Sequence, residues 1–204
     1  MKPLKLLVLV AVVVLSSAFT IPSLFSEGYK IGDKASDFKL KNIDGKSVSL
    51  ADYSDAKGFL IVFTCNDCPY AKAYEDRLIQ LDKKYKSQGV PVIAINPNNP
   101  INQKGETFEK MQERAKEKGF TFPYLVDEGQ AISPVFGAQR TPHCYLLEKT
   151  SEGNIVKYIG AIDDNYQDEN AVETTYVEDA IDAMLAGEEI AIQNTKAIGC
   201  SIKL

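Results

Sequence analysis

Two cysteines stand two residues apart in Cys65-Asn66-Asp67-Cys68, and Pro69 follows directly. This spacing suits disulfide exchange, in which one thiolate attacks a disulfide partner and the neighbouring sulfur then releases it. The attacking form of cysteine is the thiolate. The surrounding sequence offers a way to make one. Residues 58–64, Gly58-Phe59-Leu60-Ile61-Val62-Phe63-Thr64, form an apolar run, and a helical pattern starts near Pro69. A sulfur at that junction meets the unpaired N–H groups and the positive end of a helix. On this placement Cys65, at the strand end, is the more exposed, attacking sulfur. Cys68, in the first helical turn, is the resolving one. The competing reading is two structural cysteines. Asp67 either caps the helix or opposes a thiolate through its charge; the cap is the reading adopted.

The elements that must position this pair follow from hydrophobic periodicity. Residues 31–50 read as a β-hairpin: Phe38 and Leu40 alternate with polar residues, Asp44-Gly45 turns the chain, and Val48 and Leu50 resume the alternation. Residues 59–64 are apolar on both faces, as in a central strand covered on both sides. Tyr70, Ala71, Tyr74, Leu78, Leu81 and Tyr85 recur at helical spacing over residues 70–86. Residues 90–95 give a second buried strand. Residues 106–118 give an amphipathic helix with Phe108, Met111 and Ala115 on one face. A short strand at 122–126 and a short helix at 130–136 follow, with Pro134 awkward in the helix middle. Residues 145–147 and 155–159 read as an antiparallel pair, Asp163-Asp164-Asn165 as a solvated loop, and 175–185 as a last helix. Tyr70 and Tyr74 fall on the core-facing stripe. The order describes an α/β fold with a central mixed sheet and helices on both faces.

At 204 residues the chain is long enough for one domain with additions, and its 45% hydrophobic and 25% charged content is that of a globular protein. The net charge of −5, without a basic block, speaks against nucleic acid as a partner. Four cysteines are too few for a disulfide scaffold of this size. The single histidine, His143, excludes most multi-histidine metal sites. Residues 1–18 read as a secretory signal peptide: Lys2 and Lys5 form a positive start, residues 6–15 are apolar, and Ser16-Ser17-Ala18 suits cleavage. An uncleaved anchor is the competing reading, although the apolar stretch falls short of the roughly 20 residues that span a bilayer. The expected organisation is a signal peptide at 1–18, a linker at 19–30, a domain at 31–186 and a C-terminal tail at 187–204. The expected location is periplasmic or otherwise extracytoplasmic.

Four stretches resemble the thioredoxin-like superfamily, specifically its peroxiredoxin-like branch (redoxin, alkyl hydroperoxide reductase/thiol-specific antioxidant). Gly32-Asp33-Lys34-Ala35-Ser36-Asp37-Phe38 with Asp44-Gly45-Lys46 resembles the branch's opening hairpin. Phe63-Thr64-Cys65-Asn66-Asp67-Cys68-Pro69-Tyr70 resembles its active-site turn. Arg140-Thr141-Pro142 resembles its cis-proline loop. Thr195-Lys196-Ala197-Ile198-Gly199-Cys200-Ser201 resembles the C-terminal motif of a peroxiredoxin-like subgroup. The resemblance implies a thioredoxin-like fold, and a cis bond before Pro142 that places Thr141 to pair with an extended thiol substrate. Two family patterns are not met. Residues 59–64 lack the buried acid of thioredoxins, and Cys65 stands where peroxiredoxins carry the threonine of Thr-x-x-Cys.

The catalytic candidates are therefore Cys65, Cys68 and Pro142, with Thr141, His143, Arg140, Cys200 and Asp67 as auxiliaries. His143 either stabilises a thiolate or faces solvent from a loop, and Arg140 either steers an anion or is a surface residue. Cys144 reads as a small buried apolar residue. Cys200 folds back as a further resolving thiol, pairs with Cys144, or stays free. The leading function is a thiol–disulfide oxidoreductase acting on a protein substrate and recharged by a protein reductant, without cofactor or metal. The alternatives are a thiol peroxidase acting on peroxide and a copper-binding module of the Sco type.

Overall fold

The computed structural model describes residues 28–203. The expected signal peptide and most of the expected linker lie outside the described residues. In chain order the elements are β1 (Lys34–Ala35), β2 (Lys39–Asn42), β3 (Ser47–Ser49), β4 (Gly58–Phe63), α1 (Pro69–Tyr85), β5 (Val92–Asn96), α2 (Phe108–Lys118), β6 (Tyr124–Val126), α3 (Ser133–Phe136), β7 (Arg140–Thr141), β8 (His143–Thr150), β9 (Gly153–Gly160), α4 (Tyr176–Ala186) and β10 (Cys200–Ser201). One eight-stranded sheet runs β1-β9-β8-β4-β5-β6-β2-β3, and β10 pairs with β7 apart from it. The fold is thioredoxin-like: a mixed α/β sheet flanked by helices.

β4 lies inside the sheet because nothing in it is polar. All six of its residues are buried. It runs parallel to β5 and antiparallel to β8. The two-residue period of a strand sends Leu60 and Val62 to one core, and Phe59, Ile61 and Phe63 to the other. Helices lie on both faces, but unevenly. α1, α2 and α4 pack into the Leu60/Val62 core, while the opposite face is closed by Phe136 of α3, by Phe38 and Leu40, and by Leu50. The reason is topological. The crossovers β4-α1-β5 and β5-α2-β6 move in the same direction across the sheet, so the usual right-handed connection puts both helices on one side.

The hairpin forms where the alternation places it. Leu40 pairs with Val48, and Gly45 turns the chain at φ +83°. Leu50 does not extend the second strand; it opens a 3-10 turn in which Ser49 N–H donates to the Asp52 carboxylate at 2.8 Å. α1 begins at Pro69, which needs no N–H in the first turn. The same rule resolves Pro134: α3 starts at Ser133, so the proline lies in the first turn and not mid-helix. α2 starts at Phe108, with Thr107 as its cap accepting Lys110 N–H at 3.3 Å. Glu106, expected as its first residue, precedes the helix and is buried.

Residues beyond α4 do not trail away. Gly187 ends α4 in the left-handed conformation, and Ile190 buries itself in the α1/α4 core. Asn194 then bridges Ile159 of β9, and the chain returns to β7 as β10. At the other end Tyr29, expected in the linker, stacks edge-on against Phe136 with ring centroids 4.9 Å apart. Among the described residues no helix is long and apolar enough to cross a membrane.

Candidate active site

Cys65 follows β4 by two residues, and Cys68 is the residue that caps α1. Both are free thiols. Each is 4% exposed, so the expectation that Cys65 is the more exposed sulfur is corrected. They form a small cluster with Ala71, against which Tyr70 and Cys200 pack.

The turn between them is held from below by a residue that the sequence did not single out. Glu106 is 3% exposed. Its carboxylate accepts Asn66 N–H at 2.8 Å and Asp67 N–H at 3.1 Å. It also accepts the side-chain amides of Asn96 at 2.9 Å and Asn98 at 3.3 Å. Asn66 in turn donates to Gly105 C=O at 2.9 Å and accepts the Tyr124 hydroxyl at 3.0 Å. A buried acid therefore stands beneath the turn, supplied by the loop before α2 and not by β4. The only trace of it in the sequence is Asn96-Pro97-Asn98 after a buried strand, amides that need an acceptor once covered. Asp67 does not serve as the helix cap: Cys68 holds that position, and the exposed Asp67 side chain lies 4.0 Å from Lys72.

The facing wall is the Thr141–Pro142 peptide, which is cis. Thr141 touches both sulfurs. Its hydroxyl is 3.1 Å from Cys65 Sγ, and its carbonyl accepts from Cys68 Sγ at 3.1 Å. The electrostatics favour a thiolate at Cys68. The thiol of Cys65, the thiol and the N–H of Cys200, and the N–H of Ala71 in the first helical turn all hold Cys68 well below the ordinary range, against burial. Cys65 is pushed up by its hydrogen bond to Cys68, then by burial and by the Glu106 carboxylate. The N–H groups that follow Cys65 are already bound to Glu106, so they are not free to stabilise charge on it.

The remaining candidates fall at different distances from this centre. His143 begins β8 opposite Phe63, so it is a strand residue and not a solvent-facing loop histidine. It is partly buried, its Nδ1 lies 3.5 Å from the Tyr145 hydroxyl, and burial lowers its pKa to about 4. Cys144 is fully buried in the α1/α4 core, apart from the cluster that holds Cys65, Cys68 and Cys200. Cys200 stands opposite Thr141 in the β10–β7 pair. Arg140 donates to Gly199 C=O at 3.1 Å and lies 3.4 Å from Ser201 Oγ. Arg140 is an exposed surface residue, in line with the surface reading, and its guanidinium also clamps the tail. Asp163, expected in a solvated loop, is buried and binds the Tyr74 hydroxyl at 2.7 Å and the Arg77 guanidinium.

The chain is similar to known proteins. A model of the AhpC/TSA family matches residues 31–179. The chain is 29% identical over 128 residues to the thiol-disulfide oxidoreductase ResA of Halalkalibacterium halodurans, spanning 63% of this chain and 67% of that protein. It is 30% identical over 133 residues to ResA of Geobacillus thermodenitrificans, spanning 63% of this chain and 68% of that protein. An uncharacterized conserved protein from Geobacillus kaustophilus has a crystal structure that superposes with a TM-score of 0.79 at 33% identity, over 86% of this chain and 92% of that one. The family match runs from ahead of β1 into α4 and takes in both the cysteine turn and the cis-proline, so the chain belongs to the AhpC/TSA family.

Proposed function

We propose that this protein is a thiol–disulfide oxidoreductase whose working groups are Cys65 and Cys68. The observation that carries it is the pair itself: two free thiols in one cluster at a helix N-terminus, both touching Thr141 beside the cis-proline. The ResA relatives, named for this activity, support it. In this reading Cys68 is the attacking sulfur, because the donors around it favour its thiolate, in place of the Cys65 favoured by its position at the strand end. Its thiolate attacks a substrate disulfide, forms a mixed disulfide and expels one substrate sulfur. Cys65 then attacks Cys68, closing Cys65–Cys68 and releasing the second substrate sulfur as a thiol. A protein reductant returns the two electrons. Lys2, Lys5, the apolar residues 6–15 and Ser16-Ser17-Ala18 support export, so the pair works where disulfides persist.

A peroxide-reducing activity is the second reading. It rests on Cys68-Pro69 at the helix start and on the lowered Cys68. Attack on peroxide would give a sulfenic acid and water, and Cys65 would condense with it to the same disulfide. One set of assays separates the readings: disulfide reduction, peroxide consumption and bound copper, each measured on the wild type, Cys65→Ser and Cys68→Ser. Exchange activity lost in both variants, with slow peroxide turnover and no stoichiometric copper, is the expected result. Full exchange activity in Cys68→Ser overturns the assignment. Stoichiometric copper with neither activity overturns the enzyme reading.

A further inference from the structure

The face of the site that an incoming sulfur must reach is occupied by the chain's own tail. β10 pairs antiparallel with β7, and the register sets Cys200 opposite Thr141 and Ser201 opposite Arg140. Gly199 lies so close to the Thr141 carbonyl that a Cβ there would collide with it. The strap is fixed at both sides. Thr195 Oγ1 accepts Ala161 N–H at 2.9 Å upstream. Downstream, Lys203 N–H donates to Asn98 Oδ1 at 2.9 Å, and the Lys203 carbonyl accepts Asn99 N–H at 3.1 Å and Gln130 Nε2 at 2.9 Å. β10 therefore has the backbone pairing of an extended segment bound beside the cis-proline, and it carries a thiol at the point of contact. Cys200 packs on the Cys65/Cys68/Ala71 cluster. Unlike either of those sulfurs, it is partly exposed. β10 also lies beyond residues 31–179, the stretch matched by the family model.

We propose that Cys200 is a third redox sulfur, a relay that takes the disulfide from the buried pair and presents it at the surface. The proposal rests on the exchange reading of Cys65 and Cys68. In the oxidised protein Cys200 loses its proton and attacks Cys68 Sγ. The Cys65–Cys68 bond breaks, the Cys68–Cys200 bond forms, and Cys65 leaves as a thiolate that takes up the proton. No net oxidation occurs. A dithiol of a protein reductant then attacks the partly exposed Cys200 Sγ and expels Cys68. The reductant ends oxidised, and all three cysteines end as thiols.

The local charges favour the second step, whereas the first expels Cys65, the poorer leaving group of the pair, and rests on the packing of Cys200 against the cluster. In the reduced protein Cys200 is raised to about 11 by burial and by its contact with the charge on Cys68, while Lys203 and Arg140 act to lower it. Once Cys68 is in a disulfide its charge is gone and the two cations remain. In the second step the departing sulfur is Cys68, whose depressed pKa makes it the better leaving group.

The test treats the reduced full-chain Cys65→Ser variant with one equivalent of oxidised glutathione, followed by alkylation and peptide mapping. Cys68 first takes up glutathione. The expected end product is an intramolecular Cys68–Cys200 disulfide with both glutathiones released. A stable glutathione adduct on Cys68, with Cys200 still alkylated, overturns the relay and leaves the exchange reading standing. Absence of any Cys68 product overturns the relay together with the assignment of Cys68 as attacker. In an otherwise wild-type chain, Cys200→Ser and Cys200→Ala are each expected to slow reduction of the oxidised pair by a protein dithiol at least ten-fold. Reduction at the wild-type rate in both overturns the relay.

Discussion

At the scale of the residue, the site is a contest over where one negative charge sits. Cys68 takes four hydrogen-bond donors, while Cys65 faces its contact with Cys68, burial and the Glu106 carboxylate. An ordinary thiol with a pKa near 8.5 is less than about 1% ionised at pH 6. Reduced wild-type protein is therefore expected to keep about one thiolate per molecule at pH 6, measured by thiolate absorbance at 240 nm. The hydroxyl introduced by Cys65→Ser can still donate to Cys68, so that variant keeps the signal, whereas Cys68→Ser loses it; the opposite pattern returns the charge to Cys65. Glu106 is the second residue-scale determinant. Glu106→Ala strands two backbone N–H groups and two buried amides. That should cost about 2–4 kcal/mol in denaturant unfolding, since each unpaired buried polar group costs roughly 1–3 kcal/mol before relaxation and water entry; a change under about 0.5 kcal/mol would show that Glu106 does not hold the turn. The cysteines were legible in the sequence because CxxC chemistry is local. Glu106 was not, since its partners lie up to 40 residues away and only folding makes it a floor for the turn. His143 was misplaced for a related reason: the residue after a proline reads as loop until β8 is seen pairing with β4.

At the scale of the element, periodicity carried most of the information. The hairpin, β4, α1 and the β8–β9 pair form where alternation or helical spacing puts them, because each buries a face that the pattern itself defines. The tail was harder to place. Residues 187–204 contain little periodicity, and what fixes the described ones, 187–203, is Ile190 in the core and a set of hydrogen bonds to β7, β9 and the loop after β5. Its closest approach is at Gly199, where only the absence of a side chain lets the strand lie against Thr141. Gly199→Val is expected to lift β10 from β7 while leaving the two cores intact. Hydrogen exchange at Ile202, whose N–H donates to Gln139 C=O, and alkylation of Cys65 and Cys68, should then rise several-fold with far-UV circular dichroism unchanged. Unchanged exchange and alkylation would mean that the strap tolerates a side chain there and does not limit access.

At the scale of the whole molecule, one sheet separates two cores, and the site sits where β4 emerges between them. Phe136 ties the hairpin side together, with edge-on rings from Tyr29, Phe38, Phe63 and Tyr145 at centroid distances of 4.9 to 6.5 Å. Phe136→Ala should destabilise the protein by about 3–5 kcal/mol, the usual cost of emptying a buried aromatic site; a loss below about 1 kcal/mol would show that this core collapses around the gap. Such a substitution weakens the frame without touching the sulfurs, so it separates stability from chemistry. The central claim concerns Cys65 and Cys68 as one two-electron unit, and it is tested most directly by equilibrating the full chain across a series of glutathione redox buffers and mapping its disulfides. The account predicts a single two-electron transition, about 30 mV per tenfold change in the dithiol–disulfide ratio, from free thiols to a disulfide involving Cys68, with Cys65–Cys68 as a populated product. Independent glutathionylation of the two sulfurs, or free thiols at both throughout the series, would contradict it.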